Sequence, residues 1–236
     1  MGLDKARVVV IGGTSGIGLA VAQGAMAQGA KIVVGSSTPQ KVQGSAQTLP
    51  GAESFEIDVK NRDSVKAFFA RVGEFDHLVF TAGDWGGLRR VPLDDLDLDA
   101  AASIFAVRFW GALKAVKFSR KFIRAGGSIT LTDGMVAQRP QPGSAVSTAM
   151  AGAIEHLIRG LALDLAPLRV NGVCPGAINT HIWETIPAAT REAMTKRLPV
   201  GRIGEPDEAA EAYLYLMRAG YTTGQVLYVD GGQSVI

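Results

Sequence analysis

Short runs of apolar and β-branched residues alternate along this chain with longer stretches in which apolar residues return every three or four positions. The short runs predict strands near Val8–Ile11, Lys31–Val34, Ser54–Ile57, His77–Thr81, Ser128–Thr132, Arg169–Cys174 and Gln225–Val229. Several are apolar at consecutive positions, as strands buried on both faces are. The longer stretches predict helices over Gly16–Gln28, Ser64–Val72, Leu98–Ile123, Ala145–Ala166 and Pro206–Met217. Strand and helix alternating in this way build a doubly wound α/β fold, a parallel sheet covered by helices on both faces. No repeat or low-complexity linker interrupts the pattern, so residues 1–236 are expected to form one domain. Two loops stand out, Asp84–Asp97 and the Pro/Gly-rich Gln138–Gly143 that leads into the helix at Ala145.

Composition narrows the function classes. With 24 basic and 22 acidic side chains the formal net charge is +2, which favours neither nucleic acid nor an anionic membrane as a partner. The segment Met1-Gly2-Leu3-Asp4-Lys5 carries no signal-peptide pattern and no apolar stretch is long enough to span a bilayer, so a cytoplasmic location is expected. Cys174, the single cysteine, cannot form an internal disulfide and reads as an inert thiol at a buried strand end. His77 and His156 lack metal-ligand spacing and read as structural, so no metal site is expected.

The first strand runs straight into Ile11-Gly12-Gly13-Thr14-Ser15-Gly16-Ile17-Gly18, and a small-residue helix follows. Glycines placed there permit a tight turn, let the backbone approach a pyrophosphate and allow helix and sheet to pack closely, while the helix N-terminus favours negative charge. The strand before and the helix after make Gly12, Thr14, Ser15, Gly16, Ile17 and Gly18 a dinucleotide-binding turn of Rossmann type.

Here the chain resembles the short-chain dehydrogenase/reductase family. Gly12, Gly16 and Gly18 match its T-G-x-x-x-G-x-G motif, with Ile11 replacing the threonine, and Ala82-Gly83 matches the end of its N-N-A-G, with Phe80-Thr81 in place of the asparagines. The resemblance implies that Asp58-Val59 contacts adenine and that Pro175, Gly176, Ile178 and Thr180, in a P-G-x-I-x-T segment preceded by Arg169-Val170-Asn171, hold the nicotinamide carboxamide. Gly201-Arg202-Ile203-Gly204-Glu205-Pro206 and the closing Thr223–Gly232 segment resemble two further family motifs. At the end of the second strand an acidic side chain would bind the ribose hydroxyls of NAD and repel the phosphate of NADP. This chain reads Gly35-Ser36-Ser37-Thr38 there, with Lys41 nearby, so NADP(H) is favoured over NAD(H), unless Ser37 and Thr38 only cap the helix that follows.

The family's catalytic residues are not where the resemblance would put them. Aligned through Ala153–Ala166, its tyrosine falls on Ser147, its lysine on Ala151, its serine on Gly134 and its asparagine on Arg108. No shift of frame restores the pair, since no tyrosine precedes Tyr213 and no lysine lies between Lys121 and Lys196. A serine hydroxyl is far less acidic than a phenol, and Ala151 supplies no charge to activate it. The expectation is that Asp133 donates or accepts a proton, that Ser147 donates a hydrogen bond, and that Arg108 anchors an anionic group. The alternative is an Arg108–Asp133 ion pair that fills the vacated pocket and keeps Asp133 ionised.

Lesser candidates are His181, in a loop near the cleft, and Trp85, Trp110 and Trp183 as pocket walls, with Trp110 placed in the core or an interface by its helical repeat. Three functions fit these residues: an oxidoreductase acting on a small carbonyl, imine or activated alkene, a non-catalytic dinucleotide-binding protein, and a non-redox enzyme using the same cleft. Family resemblance also implies a homo-oligomer, dimer or tetramer, joined through the helices Leu98–Ile123 and Ala145–Ala166.

Overall fold

Seven parallel strands form one sheet in the order β3-β2-β1-β4-β5-β6-β7. The computed structural model describes residues 2–83, 90–184 and 186–236. The strands are β1 Arg7–Ile11, β2 Lys31–Ser36, β3 Glu53–Glu56, β4 Phe75–Phe80, β5 Ile123–Thr132, β6 Arg169–Pro175 and β7 Val226–Val229. Between them lie α1 Gly16–Ala27, α2 Pro39–Thr48, α3 Arg62–Val72, α4 Leu98–Ala102, α5 Ala112–Ser119, α6 Ala145–Asp164, α7 His181–Glu184, α8 Ala188–Arg197 and α9 Pro206–Arg218. Strand order reverses between β1 and β4, which opens a crevice beyond the carboxyl ends of these strands.

Alternation along β1 shows how the sheet feeds two cores. Val8 and Val10 pack with Val21 of α1 and Leu214 of α9 on one face, whereas Val9 and Ile11 pack with Phe68 of α3, Ala115 of α5 and Ile154 of α6 on the other. All four strand residues are buried, in keeping with a parallel sheet covered on both sides.

The expected helix Leu98–Ile123 is broken. The chain forms α4, then a π-helical segment Ala106–Gly111, then α5 and a 3-10 turn Arg120–Phe122, after which Ile123 already pairs with Phe75. A π segment inserts one residue into the helical ladder and turns the side chains that follow it. Gly111 closes this one against Val59, whose Cγ2 a Cβ would approach to 2.9 Å. Three helices, α2, α8 and the single turn α7, have no predicted counterpart. In α2 only Ser45 is buried and in α8 no residue is, so neither carries an apolar stripe to be read.

Candidate functional site

A cleft of about 1200 Å³ opens along the carboxyl ends of the strands and is lined by every residue singled out for cofactor or catalysis. Among them are Gly12, Thr14, Ser15, Gly16, Ile17, Gly18, Ser36, Ser37, Asp58, Val59, Ala82, Gly83, Pro175, Gly176, Ile178 and Thr180, together with Arg108, Asp133 and Ser147.

The glycine turn is a backbone cradle. Gly12 has φ +89°, and a Cβ there would come within 2.6 Å of the Ala82 nitrogen. A Cβ on Gly18 would collide with the Gly12 carbonyl, so α1 can start only where side chains are missing. Thr81 fastens the neighbouring strand end, its hydroxyl donating to the Ile11 carbonyl at 3.1 Å. At the head of α1, Ser15 is extended and makes no side-chain cap, and the first turn holds no acid. The N–H groups there are therefore open to an anion, and the turn fits the pyrophosphate of a dinucleotide.

The end of the cleft where the resemblance puts the adenine is built by β2 and β3. Asp58 is fixed through its backbone N–H, which donates to Ser64 Oγ at 2.9 Å, and its carboxylate accepts from the Lys60 amide at 2.9 Å. Ser36 Oγ accepts from the Thr38 N–H at 3.3 Å. Thr38 stands at the N-cap of α2 without a side-chain cap bond, so capping does not occupy its hydroxyl, and Ser37, Thr38 and Lys41 all line the cleft.

At the opposite end, Gly176 packs so tightly that a Cβ would lie 2.7 Å from Asp230 Cα, and the Asn179 amide donates to the Gly204 carbonyl at 2.7 Å. The Gly201–Pro206 motif is thus a brace for the Pro175–Thr180 segment, reinforced by the Arg202–Glu208 ion pair at 2.6 Å and the capping box of Glu205 and Glu208. Arg169 and Asn171, in the motif that precedes this segment, make structural bonds. Arg169 donates to the carbonyls of Leu216, Met217 and Ala219 at the end of α9, and Asn171 holds Thr222 and Gln225.

Asp133 follows β5 and is 2% exposed. Its own N–H donates to the Val173 carbonyl at 2.8 Å, which locks the backbone, while neither carboxylate oxygen has a hydrogen-bond partner among the described residues. Burial pushes this carboxyl up to about 7, with the nearby Gly134 amide opposing the shift, Glu155 adding to it and the Arg108 charge opposing it weakly. The Arg108–Asp133 ion pair that the sequence allows makes no hydrogen bond among the described residues, although the Arg108 charge acts on the carboxyl. Arg108 instead leaves the π segment over Gly83, where a Cβ would collide with its guanidinium. Ser147, on the first turn of α6, is 2% exposed and donates to the Ser144 carbonyl at 3.0 Å, so its proton points into its own helix.

Other expectations sort cleanly. Cys174 is buried, and burial pushes its thiol upward, which makes it inert. His77 is buried against Ser128 Oγ at 2.9 Å, with burial lowering its pKa to about 4, so it is a neutral structural histidine. His156 is exposed and contacts its own helix at the Gly152 carbonyl. His181 is exposed but lines the cleft. Trp183 is buried with Ala177 and Leu198 as an apolar wall. Trp110 is not core: it is 53% exposed. Trp85 lies outside the described residues, as do positions 84–89 of the marked loop. Sequence reasoning missed Met135, Arg139 and Gln233, which also line the cleft. Among the described residues no group of His, Cys, Asp and Glu could hold a metal, and no helix is long and apolar enough to cross a membrane.

Comparison with known proteins agrees with this geometry. A family model described as enoyl-(acyl carrier protein) reductase matches residues 12–234. The short-chain dehydrogenase/reductase malC of Malbranchea aurantiaca is 35% identical, over 96% of this chain and 93% of the relative. Among solved structures, a small-chain dehydrogenase in complex with NADPH superposes with a TM-score of 0.83 at 33% identity, covering 99% of this chain and all of that one. The MalC reductase/Diels-Alderase of Malbranchea aurantiaca reaches 0.91 at 32% identity, covering 99% and 98%. The chain belongs to the short-chain dehydrogenase/reductase family and is an NAD(P)-dependent oxidoreductase.

Proposed function

We propose that the protein is an NADP(H)-dependent reductase of a small carbonyl, imine or enone substrate, and that it manages the proton with Asp133 in place of the family's tyrosine and lysine. The observation that carries this reading is a buried carboxyl, without hydrogen-bond partners, in the cleft that holds the dinucleotide turn. A carboxyl with a pKa near 7 is half protonated at neutral pH, the condition under which one group both gives and takes protons efficiently. The bound nicotinamide supplies the hydride, which is chemistry of the cofactor itself. The chain supplies the rest. Asp133 delivers its proton to the atom that gains charge as the substrate is reduced and is then reprotonated from solvent. Arg108 holds negative charge at the cleft, and Ser147 donates to the substrate when its hydroxyl leaves the Ser144 carbonyl.

Preference for NADP(H) is supported by the end of β2, which has hydroxyls and Lys41 at the cleft and no carboxylate among Gly35–Thr38, and by the NADPH complex of a similar protein. A non-redox use of the cleft also has one supporting observation, since the similar Malbranchea aurantiaca protein is named both a reductase and a Diels-Alderase.

A panel of carbonyl, imine and enone compounds, followed by loss of NADPH absorbance, tests the proposal. NADPH is expected to bind more tightly than NADH and to be oxidised by at least one compound. Tight binding with no turnover across the panel sinks the reductase reading, and tighter NADH binding refutes the cofactor assignment.

A further inference from the structure

The substrate end of the cleft has a wall that the family motifs do not explain, the turn Gln233–Val235 just beyond the closing Asp230-Gly231-Gly232. Its backbone is held from both sides. The Asp230 carboxylate accepts from the N–H groups of Gly232 at 3.0 Å and Ser234 at 2.7 Å, and the Gln233 N–H donates to the Asp230 carbonyl at 3.1 Å. Gly232 has φ +84°, and a Cβ there would press into Pro199 at 2.6 Å. From the far side, the Arg139 guanidinium donates to the carbonyls of Ser234 and, at 2.6 Å, Ile236. Gln233 and Arg139 both line the cleft.

On this fixed turn the Gln233 side-chain oxygen is buried and has no hydrogen-bond partner among the described residues. A buried acceptor left in that state is costly, so folded proteins rarely keep one without a use for it. The apolar side chains that share the cleft, Met135, Trp183, Ile186 and Met194, offer it nothing. Among the described residues, Asp133 is the other buried group in the cleft whose oxygens lack partners.

We infer that Gln233 is a specificity residue: its amide oxygen, on a turn strapped by Arg139 and Asp230, accepts a hydrogen bond from an N–H or O–H group carried by the substrate. This deepens the reductase reading and rests on it. The substrate class is an apolar molecule, seated against Trp183 and Met194, that bears a hydrogen-bond donor in addition to the group that is reduced. Buried acceptors discriminate because a ligand lacking the donor leaves them unpaired after excluding water.

The test uses matched pairs of cyclic enones and imines that differ by one hydroxyl or N–H, titrated calorimetrically into the NADPH-loaded protein, which needs no turnover. Wild type is expected to bind the donor-bearing member of at least one pair ten to a hundred times more tightly. Gln233→Leu is expected to bring that ratio close to one, with NADPH affinity and melting temperature kept, and Gln233→Glu to restore a preference. A ratio that survives in Gln233→Leu, equal binding of both members in wild type, or no binding by any donor-bearing compound overturns the inference. Tight, donor-selective binding without NADPH oxidation would leave it standing while the reductase reading falls.

Discussion

Asp133 owes its chemistry to what surrounds it. A carboxylate at that depth has lost its water, and the nearby Gly134 amide only partly offsets that loss, so the neutral acid is favoured up to about pH 7. The same shift has a consequence for stability, and its sign is fixed. The folded chain holds the Asp133 proton where the unfolded chain, with a carboxyl near 3.8, has released it, so Asp133 stabilises the fold at low pH and loses that contribution as pH rises through 7. His77 acts in the opposite sense: its pKa is lowered to about 4, so its contribution is present above the unfolded value near 6.5 and is lost as pH falls towards 4. Asp133→Asn should therefore unmask the His77 slope. Relative to wild type it is expected to gain about 2–3 kcal/mol between pH 5 and pH 8, or roughly 5–10 °C in melting temperature at the higher pH. Thermal unfolding of both proteins across that range checks this, and an equal offset at both pH values would contradict a shifted carboxyl.

At the scale of elements, what the sequence made legible was whatever packing stamps onto it. Gly12 and Gly18 were readable because a tight turn excludes side chains there, and β1 because four consecutive residues are buried. The helices α2 and α8 were not, because nearly everything they display faces water. The roles of Arg169 and Asn171 were not legible either: at the start of β6, away from the cleft, Arg169 braces the end of α9 and Asn171 holds the loop at Thr222 and Gln225. Gln233 lies beyond the last motif, and only the fold brings it to Asp133's cleft. The faces of α6 and the π segment carry one further prediction. Gly152 and Gly160 of α6 have open space where a Cβ would stand, while Leu163 is 82% exposed and Trp110 53%. Small residues beside exposed apolar ones suit close approach of a second copy, so a dimer or tetramer is expected at micromolar concentration, shifted towards monomer by Leu163→Asp. Sedimentation of wild type as a monomer would contradict it.

Across the whole molecule, the fold and the reaction are separable. Strand order fixes the crevice and the glycine turn fits it for a dinucleotide, and the fold is shared with proteins that differ from this chain in two residues of every three. The proposed reaction lies with the set at the reacting end, where the family resemblance puts Ser147, Ala151, Gly134 and Arg108 at the expected positions of the family's tyrosine, lysine, serine and asparagine. A neutral acid beside a hydride donor suffices only if substrate and cofactor are held in register, which is the work of the cleft walls. The dependence of NADPH oxidation on pH, measured with wild type and Asp133→Asn on a compound that turns over, is the most direct measurement. Reduction by wild type should fall as pH rises through about 7, and Asp133→Asn should lose at least about a hundredfold in kcat with NADPH affinity unchanged. An Asp133→Asn enzyme with wild-type kcat, or a rate independent of pH between 6 and 8, would contradict the assignment of the proton to Asp133.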